Sequence, residues 1–160
     1  MLLYPSLKVV HLLSIIVWVG GMFFMLACLR PAAAEVLEPP ARARLMHAAM
    51  RRFFNAAAVA ATFALLSGVA MIALVRRESV RTGVDFNMPL DWYAMVVLFL
   101  VMVAVFAHVR LSLFRRLERA VAAQAWLDAG AAIATIRWEV AINLVIGVFV
   151  VVIVRLGASA

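Results

Sequence analysis

The chain has 160 residues, of which 68% are hydrophobic, and its mean hydropathy is +1.10. Since a soluble domain has about 45–50% apolar residues, this composition excludes an ordinary soluble domain and predicts an integral membrane protein. The net charge of +7 comes without a nucleotide-binding or phosphate-binding motif, and the one cysteine, Cys28, excludes an intramolecular disulfide.

Four apolar segments are each long enough to cross a bilayer. A membrane-spanning helix needs roughly 20 apolar residues, and a helix satisfies its own backbone hydrogen bonds in lipid. We therefore predict an all-α integral membrane four-helix bundle, with residues 1–160 forming a single transmembrane domain. The predicted spans are residues 9–29, 53–75, 92–111 and 138–154.

The first span contains an ionisable residue, His11, close to its beginning. We interpret this span as retained, because it is too long for a signal-peptide core and only Lys8 precedes it. His11, Trp18 and Met25 recur every seven residues and so share one helix face. An ionisable group inside a membrane costs a few kcal/mol or more, and a metal bound to His11 would compensate that cost.

The second span is preceded by Pro39 and Pro40, and the helix-forming residues after them predict that its helix begins near Ala41. A face of small residues lets helix backbones approach closely. We expect this face to pack inside the bundle, with a homodimer seam as the alternative. The small residues at four-residue spacing are Ala56, Ala60, Ala64 and Gly68.

The segment between the third and fourth spans, residues 113–138, alternates apolar and charged positions at helical spacing. It predicts that the third helix continues and then lies at the cytoplasmic surface as an amphipathic segment. Trp92 and Trp138 begin their spans, as interfacial aromatic residues often do.

The basic residues predict the orientation in the membrane. By the positive-inside rule, the richer side is cytoplasmic, so both termini lie outside the cytoplasm of a bacterial-type inner membrane. Ten basic residues lie on one side, namely Arg30, Arg42, Arg44, Arg51, Arg52, Arg110, Arg115, Arg116, Arg119 and Arg137; the five on the other are Lys8, Arg76, Arg77, Arg81 and Arg155.

The polar and sulfur-containing residues fall into two tiers of depth. In the outer tier, His11, Met71 and Met95 form a His–Met set that suits haem iron or Cu(I), for which thioether is a soft ligand. Trp18 lies on the same face as His11. An inner tier is predicted to form a polar network or a second site, and comprises His108, Glu139, Asn143, Arg51 and Arg52.

The two candidate metal ligands His11 and His108 are predicted to lie at different depths. His11 is 19 residues from Arg30, whereas His108 is two residues from Arg110 and seven from Arg115. At 1.5 Å per helical residue, their depths differ by roughly 18–26 Å. One haem held by both histidines of a single chain is therefore excluded unless the first helix slides in the membrane.

Two stretches of the sequence resemble the CopD-like membrane family linked to copper resistance: "HLLSIIVWVGGMFF" and "MRRFFNAAAVAATFALLSG". That family has a first-helix histidine, a Trp-x-Gly-Gly, and an Arg-Phe before a helix that ends in glycine. The matching positions are His11, Trp18, Gly20, Gly21, Arg52, Phe53 and Gly68.

The chain also resembles the HemJ-type protoporphyrinogen oxidases, which are small four-helix membrane proteins that bind b-type haem. "FAHVR" at 106–110 and "IRWEVAIN" at 136–143 fall where that family has a third-helix histidine and an Arg-Trp at the start of helix four. This second resemblance implies haem b and an oxidoreductase activity.

We expect a CopD/HemJ-like membrane protein that holds haem b, with His11 as the leading ligand, and handles electrons with a redox partner. The first alternative is a copper import or copper-resistance protein with copper in place of haem. Further alternatives are a protoporphyrinogen oxidase-like enzyme and a non-catalytic membrane subunit, so enzyme activity stays open. The expected surroundings are the lipid bilayer, with a homodimer as one assembly and no nucleic acid.

Overall fold

A computed structural model describes residues 2–157, which fold into helices joined by short connections and form no strand. Four continuous helical segments within this range are long and apolar enough to cross a membrane. The all-α membrane bundle is therefore confirmed, and its surroundings are a lipid bilayer. The helices are α1 (Leu3–Phe24), α2 (Arg30–Val36), α3 (Pro39–Thr82), α4 (Leu90–His108), α5 (Phe114–Ala122) and α6 (Trp126–Gly157), with π-helical turns at Met25–Leu29 and Val109–Leu113.

The first membrane segment runs from Leu3 to Val36 through the π-helical turn Met25–Leu29. Pro31 follows this turn at the beginning of α2. A proline ring clashes with the carbonyl group four residues earlier in a regular α-helix, and a widened π turn relieves such a clash. The proline thus explains why the helix changes its winding here without ending.

The second segment, α3, has 44 residues and begins at Pro39 after the extended residue Glu38. A helix of this length spans about 66 Å, which is more than twice the hydrocarbon thickness of about 30 Å. The prediction of an early beginning near Ala41 is confirmed to within two residues. The helix ends at Gly83, whose φ of 70° is left-handed and easily adopted by glycine.

The third helix continues beyond its apolar span, as the sequence predicts, whereas the fourth helix begins earlier than predicted. The third helix continues past His108 through the second π turn and α5 to Ala122, and Gln124, with φ 54°, lies in the turn that follows. The fourth helix then begins at Trp126, twelve residues before the predicted position 138. The expected surface segment is divided between α5 and the first turns of α6, because charged residues outside the hydrocarbon still form helix.

The interior is filled by aromatic rings and small residues. The buried Trp18 ring lies edge-on to Phe99 and Phe106, at centroid distances of 5.8 and 5.9 Å. Phe54 makes similar contacts with Phe106 and Phe114, at 6.0 and 5.2 Å. These rings connect α1, α3, α4 and α5 at the centre of the bundle.

The α3 face that packs inside the bundle is formed by small residues, as the sequence predicts. At the beginning of this face, however, the buried residue is one position later than predicted. Ala56 is exposed, whereas its neighbour Ala57 is completely buried. The small side chains allow α1 to pack closely along α3. The buried small residues of this face are Ala57, Ala60, Ala61, Ala64 and Ser67.

Candidate metal-binding site at His11

His11 is half-buried on α1 and faces the last turns of the small-residue face of α3. Its Nδ1 atom lies 2.9 Å from the carbonyl oxygen of Ala64 and 3.2 Å from Oγ of Ser67. A carbonyl oxygen only accepts hydrogen bonds, so Nδ1 carries the proton and donates it. In the neutral imidazole, the lone pair is therefore on Nε2 and is available to a ligand.

Three small residues of α3 make room for this ring. A Cβ atom at Gly68 would be 3.4 Å from Cε1 of His11, an ordinary van der Waals contact, so the ring packs directly against this residue. Ser67 directs its hydroxyl hydrogen back to its own helix, donating to the carbonyl oxygens of Phe63 at 2.5 Å and Ala64 at 3.2 Å. The Ser67 oxygen is thus oriented to accept from His11, and the ring is held in one orientation.

The thioethers predicted for the outer tier lie on two different helices. Met71 follows Ala64 by seven residues, so it lies on the same face of α3, one turn beyond Ser67 and Gly68. Met95 lies in the second turn of α4, and both methionine side chains are half-buried. Trp18, by contrast, is buried between phenylalanine rings and has a packing role.

Two members of the predicted inner tier line one small cavity between the helices. The α6 cavity, as we name it, has a volume of about 10 Å³ and is lined by Glu139 and Asn143 together with Trp18 and Met22. Asn143 is only 3% exposed, and its Oδ1 atom has no hydrogen-bond partner. A cavity of this order is at the lower limit for one water molecule.

The other members of the inner tier are placed apart from this cavity. The side chains of His108, Arg51 and Arg52 are exposed on the outside of the bundle. Within residues 2–157, no hydrogen bond or ion pair connects them with Glu139 or Asn143. The structure therefore does not assemble the five-residue network that the sequence predicts, because three of its side chains project outward from their helices.

His11 and His108 also occupy different levels of the bundle. His11 is level with Ala64, whereas Phe106, two residues before His108, packs on Phe54. Ala64 and Phe54 are ten residues apart, which is about 15 Å along α3. This geometry supports the predicted separation of the two histidines into different tiers.

A further histidine contact had no clear signal in the sequence. His47 on α3 stacks on Phe114 with a centroid distance of 5.4 Å, and its Nε2 atom lies 3.9 Å from Oε1 of Glu118. The partners are far apart along the chain, so only the packing of α5 against α3 reveals the pair. Ser67 and the Ala64 carbonyl group at His11 were missed for the same reason.

The two spaces described between the helices are much smaller than a haem. Two spaces between the helices have volumes of about 20 and 10 Å³, which correspond to about one water molecule each and not to a porphyrin. Among residues 2–157, no group of three His, Cys, Asp or Glu side chains is arranged to hold a metal ion. The donors predicted for the outer tier, an imidazole and thioethers, are of the kind that suits Cu(I).

Comparison with known proteins gives one family. The family model described as copper resistance protein D matches residues 47–156, which are more than two thirds of the chain and include most of α3 and all of α4 and α5. No curated protein and no solved structure matches significantly. The resemblance to the HemJ-type oxidases is not shown, and the haem, oxidoreductase and electron-transfer predictions find no support. The chain belongs to the copper resistance protein D family of multi-pass membrane proteins.

Proposed function

We propose that the protein moves Cu(I) into or across a membrane, with Nε2 of His11 as a ligand on the path. The observation that supports this function best is the hydrogen bond of 2.9 Å from Nδ1 of His11 to the Ala64 carbonyl oxygen. Metal-binding histidines commonly donate their other ring N–H group to a carbonyl or carboxylate, which fixes the tautomer and the ring orientation. The family description, copper resistance protein D, agrees with copper as the transported ion.

The chemistry of the predicted thioether ligands favours the reduced form of copper. Met71 lies on the same face of α3 as the Ala64 carbonyl group, and Met95 lies in the second turn of α4. Thioether sulfur is a soft ligand that selects Cu(I), whereas Cu(II) favours nitrogen and oxygen ligands in square-planar geometry. A weak site of one imidazole and one or two thioethers would let the ion leave again, which transport requires.

We propose a bacterial inner membrane as the location, with both termini on the non-cytoplasmic side. The ten basic residues at one end of the bundle, against five at the other, support this orientation. The His11 site then lies in the non-cytoplasmic half of the bilayer and receives copper from outside the cell membrane. Reporter fusions after Ala160 are expected to give a periplasmic signal. A cytoplasmic signal would contradict the proposed orientation and place the His11 site on the cytoplasmic side.

The function is tested by titrating the purified protein in detergent with Cu(I) against a chromophoric Cu(I) chelator. His11→Ala is expected to lose at least about tenfold in affinity, by analogy with the effect of changing groups that support a metal ligand. The matched control is Leu12→Ala, because Leu12 is the next residue of α1 and is 51% exposed. Equal affinities of the two variants would contradict the proposal.

Copper accumulation in cells tests the transport step separately. Cells that produce the protein are expected to accumulate more copper than cells that produce His11→Ala at the same membrane level. Binding without a difference in accumulation would leave a copper-binding membrane protein and would contradict transport.

A further inference from the structure

Three arginines differ from most others of the chain in being half-buried and close together. Arg30 lies on α2, Arg42 on α3 and Arg137 on α6, and all three are partly covered by protein. Arg30 is near enough to Arg137 and Arg42 to be repelled electrostatically by both. The packing of three helices thus brings together three positive charges, here called the arginine cluster.

The arginine cluster has no carboxylate partner in the described part of the chain. Neither the Arg81–Glu78 ion pair nor the contact of His47 with Glu118 involves an arginine of the cluster. Glu35 and Glu38 are the acidic residues nearest in sequence to Arg30 and Arg42, and both are exposed and unpaired. Guanidinium groups remain charged at all ordinary pH values, so the repulsion persists unless an anion binds.

Glu139 is the acidic residue nearest in sequence to Arg137, and it lines the α6 cavity beside Asn143. No ion pair connects Glu139 with Arg137 within residues 2–157. The three positive charges are therefore available to a ligand from outside the chain.

A small apolar space of about 20 Å³ lies between the helices beside the arginine cluster. Arg30 and Arg137 both line this space. One helical turn farther from the arginines, its walls are Leu26 in the π turn Met25–Leu29 and Val140 on α6. This space holds about one water molecule, so it is too small for a hydrocarbon tail, and a ligand would meet the arginines from the membrane side.

The tryptophan beside the cluster indicates its depth in the membrane. Trp138 is 64% exposed on the outside of α6, and the Arg137 guanidinium carbon lies 5.3 Å from the centroid of its ring. Exposed tryptophans of membrane helices are enriched at the level of the lipid headgroups. The arginine cluster therefore lies where lipid phosphates are found.

We propose that Arg30, Arg42 and Arg137 bind the phosphate group of an anionic phospholipid whose acyl chains stay in the surrounding bilayer. Guanidinium groups form paired hydrogen bonds with phosphate oxygens, and basic pockets between membrane helices bind anionic headgroups. The family match begins at residue 47 and so includes only Arg137 of the three. The site is independent of the copper proposal, since it lies at the other end of the first helix from His11.

The test is native mass spectrometry of the full chain released from nanodiscs that contain equal amounts of phosphatidylglycerol and phosphatidylcholine. The wild type is expected to retain phosphatidylglycerol selectively. The triple variant Arg30→Gln, Arg42→Gln, Arg137→Gln is expected to bind it about 100-fold more weakly, since each basic residue contributes about 1 kcal/mol to anionic lipid binding. The matched control is Arg115→Gln, Arg116→Gln, Arg119→Gln, which removes equal charge from exposed positions of α5.

Two results would overturn the proposal. If the triple variant and its control lose phosphatidylglycerol binding equally, the lipid is attracted to basic surface in general and not to the arginine cluster. Thermal stabilisation of the detergent-purified wild type by inorganic phosphate as strong as that by phosphatidylglycerol would assign the site to a soluble anion. If the triple variant does not fold, the single variants Arg30→Gln and Arg137→Gln provide the same comparison against Arg115→Gln.

Discussion

Nδ1 of His11 and the carbonyl oxygen of Ala64, separated by 53 residues in sequence, are 2.9 Å apart in the folded protein. This one contact connects α1 with α3 and at the same time decides the chemistry of the imidazole. Because Nδ1 is occupied as a donor, only Nε2 can bind a metal ion. The structural role and the proposed copper role of His11 therefore belong to different atoms of the same ring.

The two roles are separable by substitution. An asparagine amide reaches about as far as Nδ1 of histidine, so His11→Asn is expected to keep a donor for Ala64 and to lose the ligand. His11→Asn should therefore unfold near the wild-type temperature while its Cu(I) affinity falls at least about tenfold. His11→Ala should lose affinity and, in addition, about 1 kcal/mol of stability from the missing hydrogen bond.

Thermal unfolding in detergent and competition against a Cu(I) chelator measure the two effects. A His11→Asn variant that keeps wild-type copper affinity would show that His11 serves packing alone. A His11→Asn variant as unstable as His11→Ala would show that the amide does not replace the Nδ1 donor.

The second prediction concerns the proposed thioether ligand. Met71→Leu conserves the volume of the side chain, and such exchanges usually cost less than about 1.5 kcal/mol. The variant is expected to fold normally and to lose Cu(I) affinity, because leucine has no sulfur. Met102→Leu is the control, since Met102 is buried in the bundle at 3% exposure and packs near Gly147.

Chelator competition with Cu(I) measures both methionine variants. A loss in Met71→Leu that Met102→Leu does not share would support Met71 as a ligand. Equal affinities of Met71→Leu and the wild type would remove Met71 from the site and leave Met95 as the remaining thioether candidate.

The third prediction tests the close contact of α1 with α3. A Cβ atom at Gly21 would lie 2.9 Å from Cδ2 of Phe53 and would overlap its ring, whereas nothing lies within 4 Å of such an atom at Gly20. Overpacking of this kind typically costs about 1–3 kcal/mol. Gly21→Ala is expected to lower the unfolding temperature, and Gly20→Ala to leave it unchanged or raise it, since alanine favours helix by about 1 kcal/mol.

Unfolding temperatures of the two variants in one detergent check this expectation. Equal stabilities would mean that Phe53 moves aside without cost. The double variant Gly21→Ala, Phe53→Leu should recover part of the loss, because leucine lacks the ring atoms that the new methyl group meets.

The sequence was sufficient to predict the membrane bundle because apolar length is a local property. A run of apolar residues identifies a span whatever it packs against, and all four spans are present within residues 2–157. The ends were less accurate, as Trp126 rather than Trp138 begins the fourth helix. Charged residues end a span but not a helix, so hydropathy alone does not mark helix ends.

The site was harder to predict, because its contacts depend on rotation about the helix axes. Depth along each helix could be counted from the flanking arginines, and this separated His11 from His108 in agreement with the structure. The direction in which each side chain points depends on the packing of all four helices. For that reason the sequence placed His108 in an interior network, whereas its side chain is exposed, and it missed Ser67 beside His11.

The last prediction concerns Asn143, whose buried Oδ1 atom faces the α6 cavity without a partner. A buried polar group that lacks a hydrogen bond costs about 1–3 kcal/mol, so replacing it with an apolar group of similar size removes that cost. Asn143→Leu is expected to raise the free energy of unfolding by about 1 kcal/mol. Ile142→Leu is the control for the new leucine, because Ile142 is the preceding residue and is 49% exposed.

The stability of Asn143→Leu also shows what the α6 cavity contains. A stabilised variant means that Oδ1 is unsatisfied in the wild type and that the cavity is dry. A variant less stable than the wild type would contradict the prediction and would mean that Oδ1 accepts a hydrogen bond from a molecule in the cavity, since the volume of about 10 Å³ is near the minimum for one water. Glu139→Gln, measured in the wild type and in Asn143→Leu, then tests whether one water contacts both side chains. The effect of Glu139→Gln on stability should disappear in Asn143→Leu only if Glu139 and Asn143 contact the same molecule.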